Sequence, residues 1–428
     1  MLVRMKTPSQ TAKKKITVIG GGAAGCIAAI AAAEQDSAEV TLIEKNESTG
    51  KKLLATGNGR CNYCHDIVST ADYHRQLDDA FLPAVLERFS PGDCVDLFRR
   101  LGITPVNRNG YLYPYSEQAR AVAEVLGRGL RQRGVRILTS TEVTGLSRED
   151  SGWRVNYTEK KTDGSLEDSL FSDAVILTTG GTAAPKTGSD GRGLDLCRAL
   201  GHRIIPPVPA LTNLIIQNSP FRKADGTRLS ATVSVETDGR IACSDTGQIQ
   251  ITKAGFSGIP VFNVSRFASR ALADGKKAAL HIHLVPDLTD EEISAELRRR
   301  FSDDAVTPYE ALIGLFPDHF ADALLRYAGI DPNARPPKTD MKKAASLLLD
   351  AVSDIRLPVN GTGDMHAAQV SCGGVDTAEI DPAQMYSRIA ENLYLAGEII
   401  DIDGKCGGYN LFFAWASGWI AGTSAAGN

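Results

Sequence analysis

Hydrophobic positions fall into two rhythms along the chain, and glycine or proline clusters mark where one gives way to the other. A continuous apolar run at 16–19 predicts a buried strand, which enters a glycine cluster at 20–25. An alanine-rich stretch then predicts a helix, and a second apolar strand over 40–43 stops at Glu44. Helical spacing covers 82–101, and an amphipathic helix over 119–133 is closed by Gly134. Strand patterns follow at 136–138, 142–147, 153–158 and 174–178, then a helix over 194–200. After the prolines at 206, 207 and 209 the rhythm changes to alternating β-type runs at 232–236, 248–252 and 278–284, broken by a helix near 261–274. Residues 288–349 are helical and charged, with a breaker at 331–337. From Gln369 the glycine-rich strand-and-turn style returns, ending in a strand over 392–396 and an almost wholly apolar helix from Leu411. This order predicts one α/β domain in two sequence pieces, interrupted by a β-rich insert with a helical cap.

The segment Gly20-Gly21-Gly22-Ala23-Ala24-Gly25 is a G-x-G-x-x-G turn between a strand and a helix. Glu44 stands about 20 residues past the last glycine, at the end of the second strand. Each part has a physical task. Gly20 permits the tight turn, Gly22 leaves room for a pyrophosphate, and Gly25 lets helix and strand pack closely. The helix N-terminus offers unpaired N–H groups to phosphate, and a carboxylate at Glu44 accepts ribose hydroxyls. The pattern implies a bound dinucleotide and leaves NAD and FAD open.

Composition narrows the class. At 428 residues with 43% hydrophobic and 23% charged positions, the chain is a globular protein of two or three domains. A net charge of −4 argues against a sequence-independent nucleic-acid binder. No apolar run reaches the roughly 18 residues that span a bilayer. Residues 1–15 are polar and basic without an apolar core, and are expected to form a loose leader on a cytoplasmic protein.

Eight cysteines (26, 61, 64, 94, 197, 243, 372 and 406) are scattered rather than clustered, as free thiols of a reducing compartment would be. Cys61 and Cys64 form one C-x-x-C without a second pair, so no metal site is expected. His281 and His283 share a strand face but lack a third ligand nearby, and read as ordinary strand histidines. Arg298, Arg299 and Arg300 read as a solvated helix face, and Ser257 lacks the full G-x-S-x-G of a nucleophile turn.

A second signal lies near the other end. The strand over 392–396 runs into Gly397-Glu398-Ile399-Ile400-Asp401, and Gly407-Gly408-Tyr409-Asn410 precedes the apolar helix. With the segments at 50–62, 178–181, 185–193, 255–260 and 370–375, the chain resembles a bacterial family of NAD(P)/FAD-dependent oxidoreductases. That family is similar to aminoacetone oxidase and includes the bile-acid 3-dehydro-Δ4,6-reductase. The resemblance implies a glutathione-reductase-like, Rossmann-type FAD-binding domain split by an inserted β-barrel-like domain with a helical cap. The expected bounds are 1–205 and 355–428 for the two FAD-binding parts, 206–286 for the insert and 287–354 for the cap.

Carried over residue by residue, the resemblance implies non-covalent FAD with its pyrophosphate at Gly20, Gly22, Ala23, Ala24 and Gly25. Glu44 and Lys45 would hold the adenosine ribose and its surroundings, and Val143 would offer backbone contacts to adenine. Lys52, Asn58, Gly59, Arg60 and Cys61 would line the ribityl and ring, with Thr179 and Gly180 closing over them. Asp401 would bind the ribityl–phosphate region. Gly408, Tyr409, Asn410 and Leu411 would present N–H groups to the flavin pyrimidine edge, where reduction leaves negative charge. Cys64 departs from the family pattern. Cys372 and Cys406 each precede Gly-Gly, and one of them approaching the flavin or its partner loop is weighed against small buried thiols packing beside glycines, the simpler account.

The implied activity is hydride transfer between flavin N5 and a small organic substrate. An NAD(P)H-linked reductase of an activated C=C bond, a steroid-like enone among the options, is favoured over an amine oxidase of the aminoacetone oxidase kind. A flavin-binding RNA-modification or non-catalytic interaction protein is the alternative of another class. Tyr409, Arg60 and His366 are the candidate proton-transfer residues. The expected partner is a small molecule, with neither nucleic acid nor membrane; substrate identity and oligomeric state are left open.

Overall fold

The computed structural model describes residues 13–74, 80–303, 305–335 and 340–427. The leader expected over 1–12 and part of the breaker, Pro336 and Pro337, lie outside the described residues. The chain forms two compact units, one from Met1–Pro207 with Gly373–Asn428 and one from Val208–Cys372.

The first unit is built on a seven-stranded sheet with Lys14–Ile19 near its middle. That strand pairs in parallel with Ala38–Ile43 on one side and Ala174–Leu177 on the other. Arg136–Leu138 and Leu393–Leu395 extend the parallel run outwards. Ile16, Thr17, Val18 and Ile19 are all buried, as expected for a strand covered on both faces. Because the strands are parallel, the turns at Gly20, Glu44, Thr178 and Gly397 all leave the same carboxyl edge. Tyr386–Ser387 and Ile380–Asp381 add an antiparallel border.

Two helices are buried against this sheet. Ala23–Ala33 is a run of alanine and isoleucine with no polar face, and Tyr409–Gly427 is nearly as apolar. They pack through small residues. A Cβ built on Gly418 would stand 2.4 Å from the Ala24 carbonyl oxygen, and one on Gly422 would stand 2.2 Å from that of Ala28. Both positions advance by four together, so the two helices run parallel.

Three details differ from the sequence expectation. The helical spacing over 82–101 resolves into Phe81–Arg88 and Pro91–Leu101. Phe89 is extended, and Ser90 with Asp93 forms a reciprocal capping box ahead of Pro91, which starts a new helix. Gly164–Ser172, too polar to register as a strand, pairs along its length with Gly152–Lys161. The expected return to the first unit at 355 falls at Gly373 instead. The reason is strand pairing: Ile355–Val359 is bonded to Ala278–Leu284 and so belongs to the inserted sheet.

The second unit holds a seven-stranded sheet whose order runs from Ile355–Val359 through Ala278–Leu284, Arg228–Thr237, Arg240–Thr252, Gly255–Ser257 and Leu214–Ile215 to Gly361–Thr362. Its two outermost strands are consecutive in sequence, separated by Asn360 alone, so the sheet must curl back on itself. Val233, Val235, Leu280 and Ile282 face a core shared with the helices Ile259–Ala273, Asp290–Arg300, Asp318–Tyr327 and Met341–Ser353. No helix among the described residues is long and apolar enough to cross a membrane.

Candidate functional site

The glycine turn is shaped by contacts that exclude a side chain at two positions and invite a ligand at a third. Gly20 has φ +104°, and a Cβ there would meet the Thr178 carbonyl oxygen at 2.6 Å. A Cβ on Gly25 would lie 1.8 Å from the Gly20 oxygen. Thr178 Oγ1 fixes this junction by donating to the carbonyls of Ile19 and Gly20 at 2.9 and 2.7 Å. Gly22 is different: nothing lies within 4 Å of its Cβ position. It is also the N-cap of Ala23–Ala33, which has no side-chain cap and no acid in its first turn. The first intrahelical bond runs from the Cys26 N–H to the Gly22 oxygen, so the N–H groups of Ala23, Ala24 and Gly25 precede it. An open space over a bare helix N-terminus fits a phosphate group.

Glu44 is buried beside this turn. Its carboxylate accepts from the Gly21 N–H at 2.7 Å, the Asn46 N–H at 2.7 Å and Asn46 Nδ2 at 2.6 Å. A carboxylate has about four acceptor positions, so these three donors leave capacity for a hydroxyl. Lys45 turns to Asp190, 2.8 Å away. Val143 sits where the pairing of Thr141–Glu149 with Gly152–Lys161 slips, between Val143 and Gly145, a bulge that interrupts the backbone ladder. Thr179 Oγ1 is buried without a hydrogen-bond partner, and a Cβ on Gly193 would come within 1.7 Å of it. Gly180, at φ +75°, passes close to Ser189.

The segment 50–62 is tied to the glycine turn by the Gly50 N–H, which donates to the Gly21 carbonyl at 2.8 Å. Lys52 reaches Glu398 at 2.7 Å and the Ala183 carbonyl at 3.2 Å. Gly57 and Asn58 are left-handed, and Asn58, Gly59 and Arg60 are exposed. The Arg60 guanidinium lies over the Tyr113 ring and 3.9 Å from Glu117. Cys61 is buried, and burial pushes its thiol up to about 11, so it stays protonated at neutral pH. Asn62 Oδ1 is buried with no hydrogen-bond partner, and a Cβ on Gly408 would come within 2.9 Å of it.

Gly407 and Gly408 have φ of +135° and +95°, and a Cβ on either would strike Tyr111 or the backbone of Cys64. The first bond of the last helix runs from the Phe412 N–H to the Gly408 oxygen, leaving the N–H groups of Tyr409, Asn410 and Leu411 ahead of it. The Asn410 side chain brackets the backbone of Gly404, accepting from its N–H and donating to its carbonyl, both at 2.8 Å. Tyr409 stacks on His65 with centroids 5.1 Å apart, and burial pushes its phenol up to about 12. Asp401 is buried, its N–H bonded to the Val375 carbonyl. Trp415 anchors the helix by donating to the Tyr63 carbonyl at 2.9 Å.

Ala24 is level with Gly418, one residue into its helix against nine into the other. The N-terminus of the last helix therefore projects roughly 12 Å beyond that of the first, pointing the same way. All the cofactor-binding residues expected from sequence lie in this unit. His366 belongs to the second unit and is exposed. His281 is held between Glu236 and Asp354 and His283 bonds the Ser353 carbonyl, while no metal-binding group of His, Cys, Asp or Glu occurs among the described residues. Three residues were given no role from the sequence, although each lies in a segment singled out there: Thr178, Asn62 and Glu398. The signals that could have found them are the asparagine that ends 50–62, the threonine that opens 178–181 and the carboxylate one step past Gly397.

The profile of the HI0933-like protein Rossmann domain matches residues 14–424. The chain is 39% identical over 419 residues to a protein named 3-dehydro-bile acid Δ4,6-reductase from Clostridium scindens, covering 96% of this chain and 99% of that one. It is 25% identical to a ribosomal RNA dihydrouridine synthase from Escherichia coli, covering 94% and 95% of the two chains. Among solved structures, 3-ketosteroid Δ1-dehydrogenase from Sterolibacterium denitrificans aligns over 97% of this chain and 100% of its own, with 14% identity and a TM-score of 0.49.

Proposed function

The chain belongs to the HI0933-like Rossmann-domain family, and on that premise we propose that it is an FAD-dependent reductase of an activated C=C bond, fed by NAD(P)H. The observation that carries this reading is the pair of parallel helix N-termini, offset by roughly 12 Å along their axes. A pyrophosphate on the first leaves the second for a ring on a further arm, which FAD has. The names of the two relatives support the reaction class. Dihydrouridine differs from uridine by two hydrogens across a C=C conjugated to a carbonyl, so both names describe saturation of an enone-like bond.

Bound FAD supplies the two-electron hydride chemistry. The chain's residues do the rest. Gly22 leaves the phosphate path open, and the N–H groups of Ala23, Ala24 and Gly25 meet its charge. Glu44 takes a ribose hydroxyl, with Lys45 beside it and the bulged backbone at Val143 offered to adenine. Lys52, Asn58, Gly59, Arg60, Cys61, Thr179, Gly180 and Asp401 border the middle of the cofactor. The N–H groups of Tyr409, Asn410 and Leu411 oppose negative charge on the ring edge without reorganising. Tyr409, protonated at neutral pH, is the first choice for the group that supplies a proton, ahead of Arg60 and His366. Arg60 is the weakest of the three, since a guanidinium keeps its proton. The curled sheet of the second unit is read as barrel-like, and the protein as cytoplasmic.

Anaerobic mixing of the FAD-loaded protein with NADH or NADPH tests the reading. Rapid bleaching of the flavin band, reversed by a Δ4,6-unsaturated 3-keto steroid, is the expected result. Bleaching by a primary amine instead, with peroxide on readmitting air, would overturn it in favour of an oxidase. The relatives named as rRNA dihydrouridine synthases favour one other reading, in which the reduced bond lies in an RNA base. Reoxidation by a ribosomal RNA fragment but not by the steroid would select it.

A further inference from the structure

Lys52 and Glu398 lie 346 positions apart, yet Lys52 Nζ sits 2.7 Å from Glu398 Oε2 and 3.2 Å from the Ala183 carbonyl. One ammonium thus joins three loops that leave the carboxyl ends of three parallel strands, Ala38–Ile43, Ala174–Leu177 and Leu393–Leu395. Both ends of the pair are seated against the dinucleotide turn. Two residues before Lys52, the Gly50 N–H is bonded to the Gly21 carbonyl. One residue before Glu398, a Cβ on Gly397 would come within 2.8 Å of the Ala24 Cβ. The side chains are only 26% and 19% exposed, so solvent and salt screen them less than a surface pair.

We propose that Lys52 and Glu398 are positioning residues that act as one electroneutral latch, closing the three cofactor loops together, and that Lys52 does not serve as a separate cationic ligand. This rests on the FAD reading above. The physical argument is charge bookkeeping at a site that takes an anionic cofactor. The helix N-terminus already meets the phosphates with N–H groups, and a carboxylate at hydrogen-bond distance cancels the cation that Lys52 would otherwise add. Removing either partner takes away the other's counter-charge at a partly buried position. The two single losses must then act alike on loop order and oppositely on the local field.

The test uses full-length Lys52→Met, Glu398→Gln, the double variant and Lys52→Arg. Amide hydrogen exchange over 53–59 and 182–188 is followed with and without FAD, and the flavin midpoint potential is measured in the loaded proteins. Each single variant is expected to speed exchange in both loops about tenfold, the double no more than either single, and Lys52→Arg to restore protection. The potential is expected to fall in Lys52→Met, where losing the ammonium makes the local charge more negative and disfavours added electrons, to rise in Glu398→Gln, and to return near native in the double. Faster exchange in Lys52→Met without the same in Glu398→Gln, or potentials that move the same way, would overturn the latch. Failure of the native protein to take up FAD would instead sink the functional reading, and the exchange measurement without cofactor would still decide the latch.

Discussion

Gly25 and Gly20 are in such close contact that a Cβ on the former would lie 1.8 Å from the carbonyl oxygen of the latter, whereas Gly22, between them, faces open space. The three glycines of one motif thus have separable duties. Gly25→Ala is expected to destabilise the fold by on the order of 3 kcal/mol, because backbone must move. Gly22→Ala is expected to leave the melting temperature of the cofactor-free protein unchanged and weaken FAD binding about tenfold or more, since its methyl enters the phosphate path. Denaturant unfolding beside FAD titration reads both.

The helix pairing gives a second contrast. Gly418→Leu is expected to cost roughly 3 kcal/mol and to lower the flavin content of the purified protein, because it drives the last helix away from Ala24. Thr423→Leu, which places the same side chain farther along that helix at a half-buried position, is expected to cost less than half as much. Equal losses would argue against a role for the close approach.

Thiol accessibility is a third observable. All eight cysteines are thiols outside any disulfide, and only Cys243 and Cys406 are partly exposed. Burial pushes Cys26 and Cys197 up to about 12 and Cys61 up to about 11, which withholds the reactive thiolate. A disulfide reagent at neutral pH is therefore expected to titrate two thiols quickly and the other six only on unfolding. A fast third thiol identified by peptide mapping would revive the redox cysteine weighed from the sequence.

A buried histidine sets a pH dependence. Ser387 Oγ accepts the N–H groups of Ile389 and Ala390, so its own proton goes to His202 Nε2, 2.9 Å away. His202 Nδ1 then donates to Glu379 at 2.9 Å. Ser387 and His202 are too buried to meet a substrate, so this Ser–His–Glu chain is structural. Burial lowers the His202 pKa, opposed by Glu379. The unfolded chain therefore binds the extra proton first, and stability present above about pH 6.5 is lost as pH falls from there. His202→Gln is expected to flatten the fall in melting temperature between about pH 6.5 and 5. An unchanged slope would assign the effect elsewhere.

How much of this was legible in the sequence depended on whether the determining contacts were local. The glycine turn, its strands and Glu44 were readable because spacing within one βαβ unit dictates them. The Phe89–Ser90 break was overlooked because apolar spacing continues across it, although Ser90, Pro91 and Asp93 spell a helix start. The boundary at 355 was misplaced because only pairing with Ala278–Leu284 assigns Ile355–Val359 to the insert. Lys45 and Lys52 were assigned to the cofactor by resemblance, while their carboxylate partners, Asp190 and Glu398, lie far along the chain. No periodicity could disclose those.

The interlocking of Ala24 and Ala28 with Gly418 and Gly422 also constrains when the protein can mature. The nucleotide-binding turn is made roughly 390 residues before the helix that buries its other flank. Until that helix is made, the alanine face lacks its partner, and closing it joins segments roughly 390 residues apart. A product truncated before Tyr409 retains the glycine motif and lacks the helix that packs against Ala24 and Ala28.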